Sequence, residues 1–174
     1  MARIGLVPDV VDPAAIDETP EKGELPRDHA ARLTGAKAAA VRVRHPASII
    51  LAADTVVALG RRVLPKADDA ATARRCLAML SGRRHKVIGG VIVIGANGQS
   101  WRRLVTTSVK FKRLEASEID AYVASGEWEG KAGGYAIQGR AAALIPWIEG
   151  SWSNVVGLPL YETAQILRAA GIGA

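Results

Sequence analysis

Asn97-Gly98 stands between two long stretches rich in β-branched residues, 86–95 and 99–114, and this arrangement constrains the fold more than any other feature. An Asn-Gly pair readily takes the left-handed backbone that a tight hairpin needs. The middle of the chain is therefore expected to be a long antiparallel ribbon. Around it, helical and strand-like patterns alternate. Residues 26–44 are alanine-rich, with Ala30, Leu33, Ala36 or Lys37, Ala40 and Val41 at helical spacing, and Pro46 ends the pattern. Residues 48–53 form an almost wholly apolar run, the mark of a strand buried on both faces. Residues 56–59 and 62–64 flank Gly60 as a small hairpin. Asp68 or Asp69 caps a helix reaching Leu80, with Gly82 just beyond it. Ser117-Glu-Ile-Asp120 resembles a capping box for a helix ending before Gly126. Residues 127–139 read as a glycine-rich loop running into a strand, 141–148 as a further strand, and 158–170 as a closing amphipathic helix. Pro8, Pro13, Pro20 and Pro26 make residues 1–26 a loop, with a short strand at 6–11. The expectation is a single α/β domain over residues 1–174, with a mixed sheet and flanking helices.

Composition narrows the function classes. The chain has 174 residues, enough for one full core, and 49% of them are hydrophobic, which excludes a disordered chain. No apolar run approaches the roughly 20 residues of a membrane span, so no membrane partner is expected. No apolar leader precedes Pro8. The lone Cys76 falls in a predicted helix and has no internal partner, which fits a reducing cytoplasm and reads as a small buried residue. The net charge of +6 comes from scattered pairs: Arg61-Arg62, Arg74-Arg75, Arg83-Arg84 and Arg102-Arg103. A basic cleft for a phosphorylated small molecule explains that excess as well as a nucleic-acid face does. One Phe and three Tyr leave little for base stacking, so nucleic acid is the weaker reading.

A few residues carry chemistry. Asp54 ends the run Ile49-Ile-Leu-Ala-Ala53, and open α/β sheets place ligand sites at such strand ends. It could hold a divalent metal or take a proton from water, or it could merely cap a turn. Thr55 would offer a hydroxyl to the same space, or be an ordinary strand residue. Lys37, on an otherwise apolar helix, and Lys66, in the turn after Leu64-Pro65, are candidate phosphate ligands; each alone also fits a solvated surface charge. Gln138 lies in Lys131-Ala-Gly-Gly-Tyr-Ala-Ile-Gln-Gly139, where an amide can read a base edge or a phosphate and glycines admit a ligand close to the backbone. Glu18, in Ile16-Asp-Glu-Thr19, is a further acidic candidate. His29, His45 and His85 are too scattered for a metal site or a triad. P-loop and dinucleotide fingerprints are missing, which disfavours kinase, ATPase and Rossmann readings.

Eight blocks, in order and at compatible spacing, resemble the Maf family of nucleoside triphosphate pyrophosphatases. They are Ile16-Asp-Glu-Thr19, Ala36-Lys-Ala38, Ala53-Asp-Thr-Val-Val57, Leu64-Pro-Lys66, Leu80-Ser-Gly-Arg-Arg-His85, Gly126-Glu127, Lys131 to Gly139, and Ile148-Glu-Gly-Ser151 on to Leu160. The resemblance implies an elongated mixed sheet with flanking helices, similar to inosine triphosphate pyrophosphatases. It also implies a cytoplasmic, usually dimeric enzyme that uses a divalent cation (Mg or Mn) to cut nucleoside triphosphates to monophosphate and pyrophosphate. By motif position, Asp54 would be the proton acceptor that also approaches the metal, with Glu18 as a further metal ligand. Thr55 and Gln138 would bear on base choice, and Lys37 and Lys66 on phosphate. The Asp-Thr-Val-Val form resembles the dTTP and UTP pyrophosphatases, whereas the 7-methyl-GTP subgroup more often has Asp-Gln there. The alternatives are a 7-methyl-GTP pyrophosphatase and a non-catalytic regulator of septum formation. Three departures stand out. The family's opening strand and Ser-x-Ser-Pro-Arg-Arg block has no counterpart and would lie ahead of Met1, where Ala2-Arg-Ile-Gly-Leu6 reads as a helix tail with a glycine stop. Ala67 follows Lys66 where proline is usual, and Ile88-Gly89-Gly90 replaces a commoner Thr-Gly pattern.

Overall fold

The long ribbon forms the centre of the molecule. In the computed structural model, which describes residues 1–172, β3 (Arg84–Ile94) and β4 (Ser100–Lys110) pair antiparallel at every position from Arg84 opposite Lys110 to Ile94 opposite Ser100. The Asn97 carboxamide oxygen accepts from the Gln99 N–H at 3.0 Å and holds the turn. The strand expected to continue to residue 114 stops at Lys110. Beyond it the backbone leaves the ladder, and the Lys112 N–H donates to the Leu144 carbonyl instead.

β1 (Ile50–Leu59) pairs antiparallel with β3 along nine positions, and β2 (Arg62–Leu64) pairs with its last three residues. With β5 (Trp147–Glu149) on β4, the order is β2-β1-β3-β4-β5. The fold is the expected α/β sheet with flanking helices. Its strand pairings are all antiparallel, and among the described residues a parallel bridge occurs only between Ala67 and Glu129. The segments 48–53 and 56–59, read separately from sequence, merge into one strand that begins at Ile50, so Asp54 lies in mid-strand and not at a strand end. Residues 50–56 have no strand partner on the β2 side among the described residues.

Period-two alternation divides the sheet into two faces. On one face, α1 (Pro26–Arg44) packs through Ala30 against Val56 and Ile88. On the other, α2 (Ala70–Leu80) brings Ala73, Cys76, Leu77 and Leu80 to Val57, Val87 and Val109. There too α5 (Leu160–Ala169) sets Ile166 and Leu167 on Val91 and Val93. Cys76 is buried, as read from sequence, and burial pushes its thiol pKa up. α2 starts from Asp69, whose carboxylate accepts from the Thr72 N–H. α3 (Ala116–Ala124) has its capping box two residues earlier than expected, with Glu115 and Glu118 in place of Ser117 and Asp120.

Two expected strands are not formed. Residues 6–11 are irregular; Pro8 and Pro13 cannot donate to a ladder, and the segment is tied instead by Asp12 to Arg44 and His45, each at 2.8 Å. Residues 141–148 make a 3₁₀ turn at Arg140–Leu144 and then only the short β5, because three successive alanines favour helical backbone over a pleat. The loop ahead of them likewise runs into that turn and not into a strand. A short α4 (Trp152–Val156), capped by Ser151, precedes α5, which Pro159 delays to Leu160. Ala2–Ile4 forms a single 3₁₀ turn closed by Gly5, consistent with the helix-stop pattern.

Candidate functional site

The open edge of β1 at residues 53–55 is bordered by two clefts. One, of about 200 Å³, is lined by Asp54, Thr55, Lys66, Lys131 and Gln138 together with the Val155-Val156-Gly157 turn. The other, of about 570 Å³, is lined by Glu18, Asp54, Thr55, Lys66 and Asp68. Asp54, Thr55, Lys66 and Ala132 belong to both, so the clefts meet at the β1 edge. Five of the six sequence candidates thus line one depression. The sixth, Lys37, reaches it from α1.

Charge alternates across this junction. The Lys37 ammonium donates to Asp54 and, at 2.7 Å, to Glu18 Oε1, while Lys66 holds Glu18 Oε2. Asp54 is buried, and a bare carboxylate there would be costly; Lys37 compensates for it from 17 residues away in sequence. Burial alone would lower the Lys37 pKa, but hydrogen bonds to Asp54 and Glu18 outweigh it and raise the value. Burial likewise pushes Glu18 up, and its two lysines more than reverse that, holding the carboxyl below its ordinary value. Lys37 therefore stays charged and Glu18 ionised at neutral pH.

Each candidate is held by identifiable neighbours. Arg32 clamps Glu24 with two hydrogen bonds of 2.7 and 2.8 Å and donates to the Thr19 carbonyl at 3.0 Å, which fixes the segment carrying Glu18 over α1. Lys66 lies in a segment stitched to the glycine-rich loop. The Ala67 N–H donates to Lys131, the Gly130 N–H to Ala67, and the Gly133 N–H to the Pro65 carbonyl. The loop turns at Gly133 and Gly134, with φ of 69° and 70°, and a Cβ on Gly134 would lie 3.1 Å from the Ala73 Cα. Tyr135 then anchors it by a 2.7 Å hydrogen bond to the buried His85, and the Ala136 N–H donates to the Tyr122 hydroxyl. These contacts present Gln138 on the cleft wall.

Thr55 departs from expectation. Neighbouring strand residues point to opposite faces, so its hydroxyl does not share the Asp54 side. It donates to the Gly157 carbonyl at 3.4 Å, on the α4 side. The strand edge, not a common face, brings the two residues to one depression.

For a divalent cation, Asp54 and Glu18 offer two hard oxygen donors drawn together by the same ammonium. No group of three or more His, Cys, Asp or Glu that could hold a metal occurs among the described residues. The pair fits Mg²⁺, which typically keeps one or two carboxylates and completes its shell with water and substrate phosphates. Sequence reading did not single out Lys131 or the Arg32–Glu24 clamp. Lys131 heads the motif that carries Gln138, so its place in the cleft was within reach of that reading. The clamp spans a loop and a helix and leaves no local signal.

The sequence that builds this geometry is shared with known proteins. The family model described as Maf-like protein matches residues 1–170. A protein of Paramagnetospirillum magneticum named dTTP/UTP pyrophosphatase is 62% identical over 171 residues, covering 98% of this chain and 90% of that protein. One of the same name from Rhodospirillum rubrum is 60% identical over 171 residues, with 98% and 81% covered. A third, from Novosphingobium aromaticivorans, is 55% identical over 172 residues, with 99% and 86% covered.

Proposed function

We infer the activity from two premises: the chain belongs to the Maf family, and a junction of alternating charges lies where two clefts meet. The protein is a nucleoside triphosphate pyrophosphatase acting on dTTP and UTP. Water attacks the α-phosphorus, the bond to the bridging oxygen breaks, and pyrophosphate leaves beside a nucleoside monophosphate. The observation that carries the reading is the Lys37 ammonium shared by Asp54 and Glu18, with Lys66 on Glu18's other oxygen. Two lysines that here neutralise carboxylates are placed to neutralise phosphate oxygens when a triphosphate enters. The names of the relatives support the choice of base.

The residues divide the work. Asp54, on the buried side of the junction and beside the Lys37 ammonium, accepts the proton of the attacking water. Lys37 and Lys66 bind phosphate oxygens and offset the charge that builds on them as the bond breaks. Lys131 adds a cation to the wall of the smaller cleft. Gln138 and Thr55, on the same wall, face the base. Asp54 and Glu18 would hold the divalent cation on which the family generally depends, and the cation would supply further charge neutralisation to the triphosphate. The activity so inferred is work on a free nucleotide pool in the cytoplasm. No helix among the described residues is long and apolar enough to cross a membrane.

The test is pyrophosphate release from a panel of triphosphates with Mg²⁺ or Mn²⁺. Turnover of dTTP and UTP well above that of purine triphosphates and 7-methyl-GTP is expected. Failure to release pyrophosphate from any of them would refute the reading.

A further inference from the structure

Two adjacent glycines in the middle of β3 lie directly beside Asp54 and Thr55. Gly90 is opposite Asp54 and Gly89 opposite Thr55 in the antiparallel register. Each is covered on its own face of the sheet by a buried polar side chain. A Cβ on Gly90 would lie 2.0 Å from Thr34 Oγ1 and 3.1 Å from the Ala30 carbonyl oxygen, both on α1. A Cβ on Gly89 would lie 1.9 Å from Oδ1 of Asn154, on α4. Neither neighbour can simply swing aside. Thr34 Oγ1 donates to the Ala30 carbonyl at 2.7 Å, and that carbonyl belongs to the helix backbone. The Asn154 amide donates to the Val87 carbonyl and to Thr107 Oγ1, each at 3.1 Å. Its Oδ1, fully buried over Gly89, has no hydrogen-bond partner among the described residues. An unpaired buried oxygen is a cost that folds seldom retain without reason.

Both covering residues lie a few positions ahead of the site. Lys37 comes one turn after Thr34 on α1, and Gly157, the acceptor of the Thr55 hydroxyl, comes three residues after Asn154. We propose that Gly89 and Gly90 are positioning residues: by lacking side chains they set how closely α1 and α4 approach β1 and β3, and so place Lys37 on Asp54 and Gly157 on Thr55. This rests on the pyrophosphatase reading for its kinetic consequences but not for its structural ones. Gly90 acts on the phosphate chemistry through α1. Gly89 acts on the base-side wall through α4.

The contacts set the magnitude. At 2.0 Å, Thr34 Oγ1 is about 1.4 Å short of the 3.4 Å at which ordinary contact begins, so an added methyl must push α1 outward by a distance of that order. A misplacement of about 1 Å in a catalytic group costs on the order of 100-fold in rate.

The experiment compares wild type, Gly90→Ala, Gly89→Ala and the double variant Gly90→Ala/Thr34→Ala, by steady-state kinetics, thermal melting and crystallography. Gly90→Ala is expected to lose about 100-fold in kcat, with KM for dTTP raised as Lys37 leaves the phosphates, and its crystal structure to show Lys37 withdrawn from Asp54. Removing the Thr34 hydroxyl in the double variant clears the closest clash and should recover at least about tenfold of that loss. Gly89→Ala should instead change the kcat/KM ratio between dTTP and purine triphosphates by about tenfold. A general loss of packing would not divide in this way or be rescued by a second truncation. A folded Gly90→Ala protein with kcat within about threefold of wild type, or with Lys37 still on Asp54, overturns the proposal. Should Gly90→Ala fail to fold, a folded double variant with kcat within about tenfold of wild type supports it, and one at the expected single-variant level overturns it. If wild type itself releases no pyrophosphate, the pyrophosphatase reading falls, and the Lys37–Asp54 geometry in the crystal structures still decides the positioning claim.

Discussion

Replacing Asp54 with asparagine removes a charge and almost no volume, so its effects on stability and on turnover can be worked out separately. Stripping the partner from a buried charge costs about 3–5 kcal/mol when the remaining charge is left alone. Lys37 is not left alone here, because Glu18 Oε1 lies 2.7 Å from its ammonium and the asparagine oxygen can still accept. The cost should therefore fall to about 1–2 kcal/mol. For a chain of this size each kcal/mol moves the melting temperature by about 2–4 °C, so Asp54→Asn should melt roughly 2–8 °C lower and remain folded at 25 °C. Turnover should fall much further, by about 100-fold to 10⁴-fold, because an amide cannot take the proton from the attacking water. The assay is pyrophosphate release from dTTP at saturating substrate, alongside calorimetry of the same preparation. A variant that melts lower yet retains more than about a tenth of wild-type kcat would refute the assignment of Asp54 as proton acceptor.

Gln138→Ala should change the ratio of kcat/KM between dTTP or UTP and purine triphosphates by an amount equivalent to about 1–3 kcal/mol, measured across the panel; a uniform loss on all bases would place the amide on the phosphates. Lys66→Met should raise KM for dTTP by about tenfold or more while leaving the melting temperature within a few degrees, since the charge it pairs with, Glu18, keeps Lys37. An unchanged KM would return Lys66 to the surface. The buried His85 has its pKa lowered by burial from 6.5 to about 4, so between those values the unfolded chain binds a proton that the folded one refuses. Its contribution is complete above pH 6.5 and is lost as pH falls toward 4, on the order of 3 kcal/mol in all. Denaturant titrations of wild type and His85→Gln should show the stability gap between them narrowing from pH 7 to pH 4. A constant gap would contradict this.

The central hairpin and the helices α1, α2 and α5 were legible because each signal is local: Asn97-Gly98, alanine spacing ended by Pro46, Asp69 with Gly82, and the closing amphipathic run. β1 was read as two pieces because an aspartate inside an apolar strand looks like its end. The partner that makes Asp54 tolerable there, Lys37, lies on a different element and shows in no window of sequence. The stretch 141–148 looked like a strand on hydrophobicity, yet its three alanines follow their helical preference and only 147–149 join the sheet. The six candidate residues were legible through the resemblance of their motifs more than through their own chemistry, since single lysines and carboxylates have ordinary solvated readings. The residues that hold them in place were not. Gly89 and Gly90 register in sequence only as a departure from a pattern, and what a glycine does depends on which side chain packs over it.

The central claim is that this junction directs water to the α-phosphorus of a pyrimidine nucleoside triphosphate. Turnover of dTTP in ¹⁸O-enriched water, followed by mass spectrometry of both products, tests it most directly. One labelled oxygen should appear in the thymidine monophosphate, with none in the pyrophosphate. Label in pyrophosphate, or release of inorganic phosphate and thymidine diphosphate, would contradict the account.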